Sequence, residues 1–194
     1  CQPSFKGYGG FPATICTSIN EEIVHGVPSD RVLKEGDILS IDIGMLYKGF
    51  HGDTALTVGI GQIDSEAARL IRVTKKALKR ALKKVRPGNT FGDIGNTIER
   101  YVYSQGFSVV DGLCGHGIGR ELHEEPEVRN TGKRRSGPKI KEGMVFCIEP
   151  MVAVGGPEIE RVGLAFKTKD NSLSAHFEDT VAVTKDGFEI MTEE

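Results

Sequence analysis

Apolar and polar positions in the middle of the chain repeat with a helical period. Apolar residues recur there every three to four positions, with lysines and arginines on the opposite side, which is typical of an amphipathic helix that covers a core. Asp64 or Ser65 is the expected N-terminal cap, and the Pro87-Gly88 pair stops the helix. The same period recurs over 91–105, so the pattern predicts two consecutive helices.

Runs of β-branched and aromatic residues precede and follow these helices. Because turn-forming residues separate the runs, they predict strands. The predicted strands are 13–19, 37–43, 50–58, 108–113, 144–152, 164–168, 176–184 and 188–191. Strands, two helices and strands again predict an α+β fold in which the helices pack on one face of an antiparallel sheet.

One short pattern occurs twice. Residues 34–42 read KEGDILSID and residues 141–149 read KEGMVFCIE, so each has Lys-Glu-Gly, four residues, an isoleucine and a carboxylate. A duplicated half-domain would explain the match, and each half would then deliver one carboxylate from the same place on a strand. The alternative is a chance match.

Composition narrows the classes of protein to which the chain can belong. With 194 residues, 38% of them hydrophobic and 27% charged, the chain fits one domain with a single core. No apolar run approaches the ~20 residues of a membrane-spanning helix, so no membrane partner is expected. The net charge of −2 disfavours binding of nucleic acid through bulk charge. The basic run 133–135 is therefore interpreted as a solvated loop rather than a nucleic-acid contact.

The pattern of the four cysteines indicates in which cellular compartment the protein is expected. Cys1, Cys16, Cys114 and Cys147 are scattered and form no C-x-x-C pair, so we expect reduced thiols and a cytoplasmic protein rather than a zinc knuckle or a disulfide framework. The N-terminal residues do not resemble a secretory signal. Since the sequence does not begin with methionine, we expect it to start inside a longer protein.

Two aspartates are the first candidate metal ligands. Asp42 and Asp53 flank a turn at 47–49, and a two-residue loop at 47 and 48 would place them directly opposite each other on adjacent strands. Two carboxylates that close repel, and one takes up a proton unless a cation lies between them. The alternative is that one aspartate faces solvent.

Three further residues strengthen the metal hypothesis. Glu149 follows an apolar run, which predicts a buried carboxylate that needs a partner. His116 lies between glycines that allow close backbone approach, and Glu178 begins a predicted strand. Four carboxylates and one imidazole favour two hard or borderline divalent ions such as Mn(II), Fe(II) or Co(II).

The other four histidines are harder to assign from spacing. His25 lies in a loop, and His123 is followed by a proline that prevents the helix of an H-E-x-x-H zinc site. His51 and His176 each lie two positions before a candidate ligand. Strand parity therefore places both on the ligand face and excludes neither as a ligand. No G-x-S-x-G or phosphate-loop motif favours a different chemistry.

Five segments follow one another along the chain, namely NEEIVHGVPSD, SIDIGMLYKGFHGDTA, GHGIGRELHEEP, FCIEPM and SLSAHFEDT. In this order and spacing they resemble the type I methionine aminopeptidases of peptidase family M24. The resemblance implies the pita-bread fold, in which two α+β halves are related by a pseudo-two-fold axis. It also implies that 1–194 is a single metallopeptidase catalytic domain, without about 50 N-terminal residues of the family.

The resemblance also implies the residues of the site. The ligands of two divalent ions (Co, Mn, Fe or Zn) fall on Asp42, Asp53, His116, Glu149 and Glu178. Glu149 would also shuttle a proton, His25 and His123 would contact the substrate and the tetrahedral intermediate, and the methionine pocket would use Tyr8, Phe11 and Cys16, with Phe5 and Leu122 as further candidates. A monovalent cation would be held by Asn20, Glu22 and Ser174.

The implied activity is removal of an N-terminal methionine. A hydroxide that bridges the two ions would attack the first peptide bond of a peptide or nascent chain. Transient ribosome contact and a monomeric state are expected. The rivals are an Xaa-Pro aminopeptidase or prolidase on the same fold, and a pita-bread module that binds peptides without catalysis. Two departures from the family are Asp179, where a histidine is usual, and Leu164, where a tryptophan is frequent.

Overall fold

The computed structural model describes residues 1–192. Its two helices are α1 (Ser65–Leu82) and α2 (Phe91–Ser104), and a short 3₁₀ turn covers Tyr8–Gly10. The strands are β1 (Gln2–Pro3), β2 (Cys16–Ile19), β3 (Glu22–Val24), β4 (Ile38–Tyr47), β5 (Phe50–Gly59), β6 (Ser108–Val109), β7 (Cys114–Gly117), β8 (Glu124–Arg129), β9 (Val145–Ile148), β10 (Met151–Ala153), β11 (Ile159–Val162), β12 (Ala165–Thr168), β13 (Ser174–His176), β14 (Glu178–Val183) and β15 (Phe188–Ile190).

A nine-stranded sheet is the largest sheet of the described residues. Its strand order is β1-β4-β5-β14-β9-β7-β8, with β2 added beside β4 and β15 beside β14. Two three-stranded sheets, β13-β10-β6 and β11-β12-β3, complete the fold. Every strand pair within residues 1–192 is antiparallel. The predicted α+β class is confirmed.

Both helices form where the sequence predicts them. The Asp64 carboxylate accepts a hydrogen bond from the Ala67 amide and caps α1, while Thr90 and Asp93 form a capping box at the start of α2. The apolar faces of both helices join one buried cluster with strand residues such as Phe146 and Val181. Neither helix in the described residues combines the length and apolar character needed to cross a membrane.

Two predicted strands are each divided in the structure. The predicted strand 144–152 breaks at Glu149 and Pro150 into β9 and β10, which belong to different sheets. Pro150 has no amide hydrogen, so it cannot continue the ladder. The predicted strand 176–184 breaks at Phe177 into β13 and β14, again in different sheets. Sequence patterns missed the short strands β1, β3, β7, β8 and β11.

The hairpin between β4 and β5 corrects the predicted register. Tyr47 pairs with Phe50, and the two turn residues between them both have positive φ, as a type I′ turn requires. Asp42 therefore lies opposite Ala55 rather than opposite Asp53. The prediction of a directly opposed pair is wrong, because the loop is one residue further along. Both aspartates nevertheless lie on the same face, since the shift is an even number of residues.

The strand order supports the duplicated pattern. The four central strands read β4-β5-β14-β9, and both Lys-Glu-Gly segments lie immediately before an outer member of this set. The glycines of the two segments, Gly36 and Gly143, have φ values of 96° and 83°, a left-handed turn in each half. Each half therefore delivers a carboxylate from the equivalent part of the sheet.

Candidate metal centre

Four carboxylates from four adjacent strands meet in the interior. Asp42 lies on β4, Asp53 on β5, Glu178 begins β14, and Glu149 follows the last residue of β9. Their exposed fractions are 8%, 4%, 3% and 9%. The topology of the central sheet thus brings together all four acidic residues that the sequence analysis singled out.

Burial makes four ionised carboxylates costly. Loss of hydration, followed by the charge of Glu149, raises the pKa of Asp53 to about 7. Loss of hydration also raises the pKa of Glu149 to about 7, although His116 partly opposes the shift. The pKa values of Asp42 and Glu178 lie well above their ordinary range, because both are desolvated and both face other carboxylates. A cluster of this kind is stable when protons or cations neutralise it.

His116 presents one ring nitrogen to this cluster. Its Nδ1 lies 2.9 Å from the carbonyl oxygen of Gly117, and since a carbonyl only accepts, Nδ1 carries the proton. The Nε2 lone pair is therefore free on the other side of the ring, where it lies 3.7 Å from Glu149 Oε1. An imidazole whose second nitrogen is held in this way is the usual form of a metal ligand.

The glycines beside His116 allow the strand to approach its neighbours. A Cβ on Gly115 would overlap the Cys147 carbonyl oxygen, and a Cβ on Gly117 would overlap the Glu125 carbonyl oxygen. Backbone carbonyls cannot move aside as a flexible side chain can. The glycines on both sides of His116 predict close backbone approach, and the structure confirms it.

We expect Gly117→Ala to lower the free energy of unfolding by about 1–3 kcal/mol, because overpacking against backbone displaces the strand. The same displacement should weaken metal binding by moving the ring of His116. Urea denaturation and a metal titration measure the two effects. Gly52→Ala is the matched control, since a Cβ at that strand glycine meets nothing within 4 Å. Equal stability of the two variants would contradict the assignment of a close contact.

His176 is the second imidazole that faces the carboxylates. Its side chain is fully buried, and Nε2 lies 3.5 Å from Glu149 Oε2 and 3.9 Å from Glu178 Oε2. Neither ring nitrogen has a hydrogen-bond partner among residues 1–192. Loss of hydration lowers the pKa of His176 to about 4, so the ring is neutral near pH 7. His51 differs, because its Nδ1 pairs with Ser4 Oγ at 2.8 Å.

His25 and His123 lie at the rim of the cluster. The ring of His123 is 4.3 Å from that of His116, and its Nδ1 is 2.8 Å from the Tyr8 hydroxyl oxygen. Loss of hydration and the neighbouring histidines lower the pKa of His123 to about 4. His25 has a φ of 60° and contacts Phe166 edge-on at 5.9 Å, and desolvation lowers its pKa as well. Both rings are therefore neutral near pH 7.

The donor set fits divalent cations. Three groups of candidate ligand atoms within the described residues lie within 4.8 Å of one another, and all three contain Glu178. The groups are Asp42, Asp53 and Glu178; Glu149, His176 and Glu178; and His116, Cys147 and Glu178. Within the part of the chain that the structure describes, the buried oxygens Asp42 Oδ1 and Glu178 Oε1 have no hydrogen-bond partner. Carboxylate oxygens with imidazole suit hard or borderline divalent ions.

An apolar cavity opens directly onto the carboxylates. The cavity has a volume of about 500 Å³ and is lined by Asp42, Asp53, His116, Glu149 and Glu178. Its walls include all the expected pocket residues, namely Phe5, Tyr8, Phe11, Cys16, His25, Leu122 and His123. A concave, mostly apolar site with a few convergent polar groups is typical of a small-molecule or side-chain pocket.

The comparison with protein families decides what kind of site this is. The model of a family described as metallopeptidase family M24 matches residues 3–185. The chain belongs to this family. M24 metallopeptidases are hydrolases that use metal ions, so divalent-metal use and the classification as an enzyme are both supported.

Relatives of this M24 metallopeptidase are named methionine aminopeptidases. One from Clostridium acetobutylicum is 52% identical over 98% of the chain and 77% of its own length. The crystal structure of a methionine aminopeptidase from Thermotoga maritima superimposes with a TM-score of 0.98 at 44% identity, over 100% of this chain and 79% of that one. The structure of a prolidase from Pyrococcus furiosus superimposes with a TM-score of 0.75 at 26% identity, and the match covers 93% of this chain and 49% of the prolidase chain. The pita-bread fold is confirmed.

The two departures from the family lie at different distances from the carboxylates. Asp179 follows Glu178 on β14, so strand alternation turns its side chain to the opposite face. There it accepts a hydrogen bond from Thr192 Oγ1 at 3.2 Å. Leu164 lies on the wall of the cavity, where a smaller side chain than tryptophan widens the pocket.

The three residues expected at a monovalent-cation site do come together. Ser174 Oγ lies 3.2 Å from the carbonyl oxygen of Asn20 and 3.0 Å from that of Glu22. However, the side chains of both partners are engaged elsewhere. The Asn20 amide oxygen accepts from the Ile38 amide, and the Glu22 carboxylate accepts from the Ile19 amide. Oxygens for a cation would therefore come from the backbone and Ser174.

Sequence reasoning missed the side chains that hold the acidic residues in place. The Thr180 hydroxyl accepts from the Asp53 amide at 2.9 Å and donates to the Asp53 carbonyl at 2.8 Å. The Asn130 amide donates to the Glu149 carbonyl at 2.9 Å. These partners are 127 and 19 residues away in sequence, and no motif spacing signals them.

Proposed function

We propose that this M24 metallopeptidase removes the N-terminal methionine from peptides by hydrolysing the first peptide bond. The observation that supports this proposal most strongly is the cluster of four buried carboxylates and His116, which opens onto an apolar cavity. Relatives that carry the name methionine aminopeptidase, at 52% and 48% identity over 98% of the chain, support the choice of substrate. The catalytic unit is one domain formed by the whole chain.

Two divalent ions would occupy the carboxylate cluster, held by Asp42, Asp53, His116, Glu149 and Glu178. Support comes from the pairwise geometry: the two aspartates share one face of the hairpin, while His116 and Glu149 approach from the other half of the sheet. Mn, Fe, Co and Zn ions all suit this donor set. When bound, such ions polarise a carbonyl and lower the pKa of water toward neutrality.

The chain's own residues would then orient the substrate and move protons. Glu149 lines the cavity with its carboxylate next to His116, so it would accept a proton and return it to the leaving amine. The Tyr8 hydroxyl would donate a hydrogen bond to Nδ1 of His123. The Nε2–H of His123 would then be available to donate to the oxygen of the tetrahedral intermediate. His25, which lines the same cavity, would hold the scissile amide.

The methionine side chain would enter the apolar end of the cavity, between Tyr8, Phe11 and Cys16. Phe5 meets Phe11 edge-on at 6.4 Å and closes this end. Desolvation, and then Asp42, raises the pKa of the Cys16 thiol, so the thiol stays neutral and suits an unbranched thioether. Four further properties stay predictions. They are a monovalent cation at Asn20, Glu22 and Ser174, a cytoplasmic location, transient ribosome contact and a monomeric state.

The decisive assay compares Met-Ala-Ser with Ala-Pro-Ser. We expect release of methionine from the first peptide, dependent on added Mn(II), Fe(II) or Co(II) under anaerobic conditions, and no cleavage of the second. A chelator should abolish the release, and re-addition of metal should restore it. Amino-acid analysis of the products over time measures both reactions.

Each alternative predicts a different result in the same assay. Cleavage of Ala-Pro-Ser with little release of methionine would favour an Xaa-Pro aminopeptidase, the class to which the prolidase likeness points. Binding of either peptide to the metal-loaded protein without cleavage would favour a peptide-binding module.

A further inference from the structure

The backbone of His176 is held rigidly at the floor of the carboxylate cluster. The Thr57 hydroxyl donates to the His176 carbonyl at 2.8 Å and accepts from the His176 amide at 2.9 Å. Ser40 Oγ lies 2.8 Å from the same hydroxyl, and β13 pairs His176 with Met151. These contacts fix the backbone of His176, and its buried imidazole faces the carboxylates.

The imidazole of His176 ends beside two candidate ligands. Its Nε2 lies between Glu149 Oε2 at 3.5 Å and Glu178 Oε2 at 3.9 Å. The other oxygen of Glu149 faces His116 at 3.7 Å. Each oxygen of the Glu149 carboxylate therefore faces a different imidazole, Oε1 that of His116 and Oε2 that of His176.

The hydrogen-bonding environment indicates which ring nitrogen of His176 carries the proton. A neutral imidazole has one N–H donor, and a buried donor without an acceptor is costly. Neither ring nitrogen has a hydrogen-bond partner within the described residues, but the carboxylate oxygens of Glu149 and Glu178 lie on the Nε2 side of the ring, at 3.5 and 3.9 Å. When metal ions hold both carboxylates in their ionised form, the Nδ1–H form would also place the Nε2 lone pair against carboxylate lone pairs. His116 shows the opposite arrangement, because Gly117 fixes its Nδ1–H.

We propose that His176 is a positioning residue that directs its Nε2–H to the Glu149 carboxylate, the nearer of the two at 3.5 Å, and so orients this carboxylate for the metal ions. This inference rests on the proposed metal centre. It assigns the two imidazoles different roles, with His116 offering a lone pair to an ion and His176 offering a proton to a ligand. Partners that orient metal ligands contribute substantially to metal affinity.

Three variants test the donor role. We expect His176→Leu, which has no donor, to bind Mn(II) about 10- to 100-fold more weakly by calorimetry, as loss of such a partner typically does. His176→Gln keeps an N–H at about the same reach, so its affinity should stay within about threefold of the parent. His51→Gln is the matched control, since His51 also precedes a candidate ligand by two residues but pairs with Ser4. Thermal unfolding of the metal-free forms checks folding.

A measurement on the unmutated protein makes the test independent of variant folding. In the Co(II)-loaded protein, proton NMR counts the imidazole N–H signals that direct bonding to the ion shifts far downfield. We expect one such imidazole, from His116, and the same signal in His176→Gln. Two imidazoles, with one lost in His176→Gln, would make His176 a ligand and overturn the proposal.

The remaining outcomes are also distinct. If His176→Leu binds Mn(II) as tightly as the parent, His176 only fills space and the proposal is wrong. If His176→Leu does not fold, His176→Asn, whose amide is too short to reach the carboxylates, takes its place with the same expected loss. Failure of the parent protein to bind Mn(II) would instead defeat the proposed metal centre.

Discussion

Replacing His116 with alanine is expected to lower kcat/KM for a methionyl peptide by at least about a thousandfold, since a bound metal contributes several kcal/mol of transition-state stabilisation. His116 supplies the imidazole lone pair that faces Glu149 Oε1 across 3.7 Å. Alanine removes this donor and leaves the four carboxylates in place. The apolar end of the cavity, lined by Phe5, Phe11 and Cys16, should be unaffected.

Steady-state kinetics, together with the metal content of the purified variant, measure this loss. His51→Ala is the control, because it also removes a histidine, but one that precedes the candidate ligand Asp53 by two residues and is bonded to Ser4. We expect it to keep activity near that of the parent. A His116→Ala variant with parental turnover and a full complement of metal would refute the ligand assignment.

The ligand face of the sheet could be predicted because side chains in strands alternate with a period of two. The predicted register of the β4–β5 hairpin was wrong, since Lys48 and Gly49, rather than Tyr47 and Lys48, form the turn. The error moved the pairing by two residues. An even shift does not move a side chain to the other face, so Asp42 and Asp53 still meet.

The partners of the ligands could not be predicted, because they depend on contacts between distant parts of the chain. Thr180 holds the backbone of Asp53, and Tyr8 meets His123 across 115 residues of sequence. Parity placed both His51 and His176 on the ligand face. Only the packing of β13 separates their environments, since it buries the ring of His176 against Glu149.

The resemblance to a family contributed what spacing alone could not. Spacing singled out the four carboxylates and His116, but it left His25 as an ordinary loop histidine. The structure places His25 on the wall of the same cavity as His123, with a left-handed backbone at φ 60°. A local pattern of side chains does not signal that geometry.

The metal-free protein is expected to lose stability as the pH rises above about 6.5, and divalent metal should reverse the trend. Burial raises the folded-state pKa of Asp53 and Glu149 to about 7, and those of Asp42 and Glu178 lie well above their ordinary range. In the unfolded chain these groups lose their protons near pH 4. The folded state thus binds more protons, and its stability falls with rising pH until each folded-state pKa is passed.

The titration of the buried histidines changes the stability in the opposite direction, but over a lower pH range. His123 and His176 have folded-state pKa values of about 4 and an unfolded value near 6.5. Between these values the unfolded chain binds more protons, so stability rises with pH and offsets part of the carboxylate effect. Above about pH 6.5 these histidines are neutral in both states. The carboxylates then act alone, with a slope of up to about 1.4 kcal/mol per pH unit for each proton.

Chemical denaturation in the presence of a chelator, at several pH values between 6.5 and 8, measures this slope. With saturating Mn(II), stability should instead rise with pH, because the ions compete with protons for the same oxygens and stabilise only the folded state. Glu149→Gln removes one of these titrating groups while keeping the size of the side chain. Its metal-free form should therefore show a shallower decline than the parent. A metal-free parent whose stability is constant or rises over this range would mean that the carboxylates are ionised in the folded state without a cation.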